Sequence, residues 1–202
     1  MNKDILICGV GGQGTVLASK IIASAAMSEG NTVHSAETIG MAQRGGSVTS
    51  HVRIGDNAFS PLIPYGSADI LLAFEPAEAV RNIKYLKKGG VAAVNTAPTA
   101  PVTESLAQSG YDGSEAVKYL KENVNCIFVN SDEICEKFGS AKFFNIVMLG
   151  IAAGSGKLGI DSDTVLKKMT EIVPERFVEI NTLAFNTGLE AGKKSADKEN
   201  AQ

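Results

Sequence analysis

The sequence predicts an α/β three-layer sandwich with a mostly parallel sheet and a helical C-terminal third. Two observations predict it. Short apolar bursts alternate with stretches of helical periodicity, the pattern of βαβ units. A glycine-rich turn, Gly9-Val10-Gly11-Gly12-Gln13-Gly14, follows the first burst and opens the first helical stretch. The 202 residues suffice for one domain with a sizeable core, and residues 1–192 read as that single domain.

Each element has its own signal. Residues 5–10 read as a strand buried on both faces. Residues 14–29 read as a helix with Val16, Leu17, Ile21 and Ala25 on one side, stopped by Gly30-Asn31. Residues 32–36 give a second strand. From Val48 to Ile54 the polarity alternates, with Thr49, His51 and Arg53 on the exposed face of a half-buried strand. A strand over 70–74 precedes Pro76, which suits the first turn of a helix through Tyr85. Lys87 and Lys88 are placed to complement that helix's C-terminus, and Gly89-Gly90 to end it before a strand over 91–95. Residues 96–113 read as a long loop, 114–123 as a helix and 126–130 as the last strand. Helices are predicted over 131–138, 142–154, 162–172 and 175–189. The polar tail over 193–202 is expected to be disordered.

Composition removes several function classes. A net charge of −3 with no basic stripe excludes nucleic acid as a partner, and the absence of Trp leaves few platforms for stacked bases. Cys8, Cys126 and Cys135 are far apart with no CxxC spacing. That argues against a disulfide framework, a zinc site or an iron–sulfur cluster held by this chain alone. Cys8 and Cys126 read as small buried hydrophobes in a reducing cytoplasm. Met1-Asn2-Lys3-Asp4 leads directly into a strand rather than a signal-peptide core, and no apolar run reaches the roughly 18 residues of a membrane span.

The first turn fits GxGxxG through Gly9, Gly11 and Gly14. In such turns glycine permits the tight bend, close approach of backbone to a ligand, and close helix–strand packing, while the helix N-terminus offers N–H groups to a phosphate. Glu37 lies 23 residues beyond Gly14, where an acid can hold a ribose. The same glycines also suit tight packing with no ligand. The second motif is Gln43-Arg44-Gly45-Gly46-Ser47. Its glycines allow a backbone nest, and Arg44 suits either a carboxylate or phosphate clamp or an ion pair with Glu37 or Glu75. His51 and Arg53 read as surface residues. No GxSxG, HExxH or P-loop GK[ST] in a strand–helix context is present, so complete catalysis by this chain alone is not expected.

Together, GVGGQG at 9–14, ETIGMAQRGGSVTSHVRIG at 37–55 and SPLIP at 60–64 resemble the gamma-type domain of the 2-oxoacid:ferredoxin oxidoreductases. The MAQRGGSV version, with EPAEAVRNIKYLKKGG at 75–90, is most similar to the beta subunit of the indolepyruvate branch. The resemblance spans residues 3–192 and implies a Rossmann-like fold. It implies a subunit that is inactive alone, in an assembly that oxidatively decarboxylates aryl 2-oxoacids to aryl-acetyl-CoA and reduces ferredoxin. By the same resemblance, thiamine diphosphate, magnesium and the iron–sulfur clusters belong to a larger alpha subunit, and ferredoxin meets the complex rather than this chain. The motif residues carried over are Gly9, Gly11, Gly12, Gln13, Gly14, Glu37, Gly40, Gln43, Arg44, Gly45, Gly46 and Ser47. Gln43, Arg44 and Ser47 are the candidates for completing the partner's active site. Gly9, Gly11, Gly12, Gln13, Gly14, Glu37, Gly45 and Gly46 are candidates for a cofactor contact, coenzyme A included. Three other classes compete: a stand-alone NAD- or FAD-dependent oxidoreductase, an adenylate-forming enzyme with a GxGGxG turn, and a ligand-free interaction module.

Overall fold

The computed structural model of the chain describes residues 1–39, 45–100 and 110–200. Its strands are β1 (Lys3–Val10), β2 (Val33–Ile39), β3 (Ser47–Ile54), β4 (Ala68–Ala73), β5 (Leu86–Asn95) and β6 (Cys126–Val129). They form one sheet in the order β2-β3-β1-β4-β5-β6. β1, β4, β5 and β6 are parallel, as βαβ crossovers require. β3 is the exception and runs antiparallel to both β1 and β2. β2 and β3 are thus an antiparallel pair, and Ser47, the first residue of β3, lies opposite Val10 at the C-terminal end of β1.

The helices are α1 (Thr15–Ser28), α2 (Pro76–Asn82), α3 (Ser114–Asn123), α4 (Ser131–Phe138), α5 (Phe144–Gly154), α6 (Ser162–Ile172) and α7 (Val178–Asn200). Alternate residues of β1 feed two cores. Ile5 and Ile7 join Ile21, Ile22, Met148, Leu149 and Phe185 beneath α1, α5, α6 and α7. Leu6 and Cys8 join Leu71, Val94, Ala79 and Leu120 beneath α2 and α3. Both faces being covered explains the unbroken apolar run of β1. Full burial of each Leu or Ile side chain contributes about 1.5–3 kcal/mol relative to exposure.

Several elements differ from their sequence-based expectation. The buried stripe of α1 is Ala18, Ile21, Ile22 and Ala25, and Val16 is 42% exposed on the outer side. β5 begins at Leu86, so Lys87 and Lys88 lie in the strand and cap no helix. Lys87 Nζ instead lies 2.5 Å from Asp69 Oδ1. The partly buried Asp69 also takes the Asp4 N–H and an ion pair with Lys3, which gives its carboxylate the partners burial demands. The β4–β5 ladder accommodates this by an irregularity, Ala68 facing Leu86 while Ile70 faces Val91. The last helix does not stop at Leu189 but continues to Asn200, through the stretch expected to be disordered.

As far as Gly192 that extension has a packing basis. Gly150 and Gly154 of α5 face Gly188 and Gly192 of α7. A Cβ on Gly150 would lie 2.1 Å from the Phe185 carbonyl oxygen, and one on Gly188 2.0 Å from that of Val147. A Cβ on Gly154 would meet the Leu189 oxygen at 2.2 Å, and one on Gly192 the Ile151 oxygen at 2.4 Å. The two helices touch backbone to backbone, so glycine is required at all four positions for steric reasons.

β3 is also more buried than its alternation suggests. His51 is 4% exposed because the segment after β3 folds back over it. Its Nδ1 accepts the Ile63 N–H at 3.2 Å, and its ring meets that of Tyr85 edge-on at 5.6 Å. Arg53 holds the same segment, donating through Nε to Asp4 Oδ1 at 2.8 Å and through Nη1 to the Ser60 carbonyl at 3.0 Å. Both residues serve the fold.

Two outcomes follow from this packing. Gly188→Ala forces the α5–α7 pair apart, at a cost of about 1–3 kcal/mol for overpacking. The thermal midpoint of the variant should fall on the order of 5–10 °C; an unchanged midpoint would show that the helices yield without cost. Burial holds the His51 pKa below its ordinary 6.5, and protonating Nδ1 removes the acceptor used by Ile63. Because the unfolded chain takes up this proton first, the stabilisation is complete above pH 6.5 and is lost as pH falls below it. The urea midpoint should therefore drop between about pH 7 and 5, and His51→Gln should flatten that slope.

Candidate functional site

The two glycine turns meet edge to edge. The antiparallel ladder of β1 and β3, which pairs Val10 with Ser47, runs on past the strand ends. Gly11 N–H donates to the Gly46 carbonyl at 2.8 Å, and Gly45 N–H donates to the Gly11 carbonyl at 3.2 Å. Positive φ values at Gly12 (103°), Gly14 (84°) and Gly45 (74°) make the reversal possible. Gly9 has a different reason to lack a side chain. A Cβ there would lie 2.6 Å from Gln13 Oε1 and 2.9 Å from Phe74 Cβ.

Gln13 staples the first turn to the sheet. Its Oε1 accepts the Val10 N–H at 2.8 Å, and its Nε2 donates to the Phe74 carbonyl at 3.0 Å and to Thr99 Oγ1 at 3.1 Å. Its own N–H donates to the Val10 carbonyl at 3.2 Å. Two N–H groups of the turn, those of Gly11 and Gln13, are thus spent inside the protein. The N-terminus of α1 is not: Gly14 caps it without a side-chain hydrogen bond. It opens on a cavity of about 370 Å³ lined by Gly12, Gln13, Gly14, Thr99, Lys142 and Asn145. Gly14 lets the start of α5 approach, since a Cβ there would lie 2.5 Å from Asn145 Nδ2.

Glu37 lies on β2, facing Ser50 of β3, and its Oε1 accepts from Ser19 Oγ of α1 at 3.2 Å. β3 stands between it and β1. With strands about 4.8 Å apart, Glu37 is roughly 10 Å from the strand that leads into the first turn. A ribose acid in a dinucleotide fold belongs on the strand adjacent to that turn.

Beneath the second turn lies an acid pair the sequence reading did not assemble. Glu75 and Glu78 are 2% and 1% exposed. Glu75 is the N-cap of α2, its Oε2 accepting the Glu78 N–H at 2.9 Å, and its Oε1 accepts the Tyr111 hydroxyl at 2.5 Å. Glu78 Oε2 accepts the Ser47 hydroxyl at 2.6 Å, and Glu78 Oε1 pairs with Arg81 Nη1. Burial and then the Glu75 contacts push the Tyr111 hydroxyl well above its usual pKa. Cys8, fully buried beside the pair, has its thiol pushed well up by burial, then by Glu78 and Glu75, and burial raises Cys126 to about 12. Neither thiol is a nucleophile in this state. The signal for the pair was in the sequence: an acid before a helix-starting proline with a second acid three residues on is a capping-box spacing.

Of the residues singled out from sequence, the fold brings together Gly9, Gly11, Gly12, Gln13, Gly14, Gly45, Gly46 and Ser47. Glu37 stands apart from them. Gly40, Gln43 and Arg44 lie outside the described residues. Among the described residues no group of three or more His, Cys, Asp or Glu side chains could hold a metal ion, and no helix is long and apolar enough to cross a membrane.

A family model described as pyruvate ferredoxin/flavodoxin oxidoreductase matches residues 4–191. The chain belongs to this family. The indolepyruvate oxidoreductase subunit IorB of Archaeoglobus fulgidus is 40% identical over 190 residues, covering 93% of this chain and 94% of that one. The protein of the same name from Pyrococcus horikoshii is 34% identical over 194 residues, covering 95% and 96%. Among solved structures, the keto/oxoacid ferredoxin oxidoreductase gamma subunit of Geobacter sulfurreducens superposes with a TM-score of 0.69 at 28% identity, over 95% of this chain and 99% of that one.

Within the pyruvate ferredoxin/flavodoxin oxidoreductase family, then, this GxGxxG turn is built differently from a dinucleotide site. The inserted β3 occupies the place of the ribose-holding strand, and Gly46, the residue before it, takes the Gly11 amide. Titration of the chain with NAD(H) or FAD should accordingly give no saturable signal up to millimolar concentration. Saturation in the micromolar range would overturn this account of the turn.

Proposed function

We propose that this chain is the beta subunit of an indolepyruvate ferredoxin oxidoreductase, supporting oxidative decarboxylation of aryl 2-oxoacids to aryl-acetyl-CoA with reduction of ferredoxin. The observation that carries this reading is the 33–40% identity, over most of the chain, to proteins named indolepyruvate oxidoreductase subunit IorB. The geometry suits a subunit rather than a complete enzyme. Around the paired turns, Gln13, Ser47, Glu75 and Glu78 are tied to one another or to backbone, and none is poised as a free acid, base or nucleophile.

The thiamine diphosphate, its magnesium ion and the iron–sulfur clusters belong to a larger alpha subunit in this reading. When bound there, thiamine diphosphate supplies the carbanion chemistry of decarboxylation. This chain supplies a fixed rim. Gly45, Gly46 and Ser47 are held against β1 and α2, and Gln43 and Arg44, which precede them in sequence, are the candidates for completing the partner's active site. Arg44 offers a planar fork for a carboxylate or phosphate. The uncapped N-terminus of α1, with Lys142 lining the same cavity, suits one of the coenzyme A phosphates. Ferredoxin meets the assembled complex, and the assembly works in the cytoplasm.

Co-expression with the larger reading frame tests the proposal. The two chains should copurify, and the complex should reduce ferredoxin or a viologen dye when given indolepyruvate and coenzyme A. The chain alone should not. Purification of a lone chain that never binds a thiamine-dependent partner would overturn the reading.

A further inference from the structure

We infer that Glu78 is a positioning residue: through the Ser47 hydroxyl it sets the second glycine turn, and with Glu75 it holds the segment at Tyr111 in register with that turn. The inference rests on the subunit reading for its effect on turnover, though the geometry stands independently of it. Three stretches of chain converge on α2 and its N-cap. Ser47, at the end of the turn, donates to Glu78 Oε2 at 2.6 Å. Tyr111, in the segment entering α3, donates to Glu75 Oε1 at 2.5 Å. The Glu78 N–H joins the two acids at 2.9 Å, and Cys8 Sγ of β1 lies 3.5 Å from the Glu78 carbonyl.

Stability alone does not account for this arrangement. Two carboxyl groups at 1–2% exposure carry a desolvation cost that apolar side chains of the same volume would avoid. What polar groups provide here, and apolar ones do not, is direction. A hydroxyl-to-carboxyl bond of 2.6 Å fixes the Ser47 side chain and with it the path of the backbone entering β3. Among the described residues the turn is also tied by two backbone bonds to Gly11, which hold it edge to edge with the end of β1. Without Glu78 the turn keeps that edge and loses its anchor to α2. In the subunit reading the rim at Gly45, Gly46 and Ser47 depends on that anchor, because misplacement of about 1 Å costs up to a hundredfold in rate.

Two measurements test the assignment on Ser47→Ala, Ser47→Thr, Glu78→Gln and the Ser47→Ala/Glu78→Gln pair. The first is amide hydrogen exchange in the free chain. Ser47→Ala and Glu78→Gln should speed exchange at Gly45 and Ser47 at least fivefold, leave residues 5–8 of β1 unchanged, and Ser47→Thr should restore protection. Unchanged exchange in Ser47→Ala overturns the inference, whether or not Glu78→Gln folds. The second is kcat of the assembled complex. Each single variant should lower kcat about tenfold while copurification and KM are kept, and the pair should be no worse than the poorer single, since both remove one interaction. Fully additive losses, or kcat equal to wild type, overturn it. Absence of 2-oxoacid-dependent turnover in the wild-type complex would instead overturn the proposed function, and the exchange measurement would still decide the role of Glu78.

Discussion

The upper edge of this molecule depends on one constraint, the insertion of β3 antiparallel between β1 and β2. A parallel sheet ends in loops that leave its strand tips independent of each other. Here the antiparallel ladder continues beyond the strands and joins the first turn to the second through Gly11, Gly45 and Gly46. The first turn and the described part of the second, distant in sequence, are thereby joined backbone to backbone. The joining explains the glycines economically. Gly12, Gly14 and Gly45 have positive φ, while Gly9 yields space to Gln13 and Phe74. The motif that elsewhere cradles a dinucleotide is here largely consumed in holding the second turn.

That consumption bears on function. A phosphate site needs unpaired N–H groups, and those of Gly11 and Gln13 are paired internally. The anion-binding capacity that remains lies at the start of α1, on the side of Lys142 and α5. Ser47, where β3 begins, lies instead toward α2 and donates to Glu78. The two sides of the joined turns therefore differ: one carries a helix terminus with no side-chain cap beside Lys142, the other a hydroxyl bonded to a buried acid.

Much of the scaffold was legible in the sequence. The boundaries of α4 and α6 follow their caps: the Asn130 side chain accepts the Asp132 N–H, Asp161 accepts the Thr164 N–H, and Gly139 ends α4 in the left-handed conformation. These are local signals, carried within a few residues. The sheet order was not legible, since nothing in β3 itself says which strands flank it. Alternation in β3 suggested an exposed face, yet a segment with no regular structure returns to bury His51. Lys87 looked like a helix cap because the partner it serves, Asp69, lies across a strand pair. Glu75 and Glu78 were visible as a capping spacing, but Tyr111 and Ser47 reach them from 36 and 31 residues away. In each case the missing information was a contact distant in sequence.

The α5–α7 pair shows the same limit from the other side and also says how the rim is supported. Each glycine reads, in isolation, as a weak point in a helix, costing about 1 kcal/mol relative to Ala. Only the four together make sense, as a surface where one backbone rests on another. The close approach brings α7 against α5 along Gly150 and Gly154, and it is the first turn of α5 that offers Phe144 to Phe74 at 6.0 Å and Asn145 to Gly14. Phe74 in turn accepts Gln13 through its carbonyl and stands against Gly9. A continuous path of packed groups thus runs from the C-terminal helix to the first glycine turn, and from there across Gly11 to the second. Loosening α7 should consequently be felt at the first turn, although none of its described residues lines the cavity there.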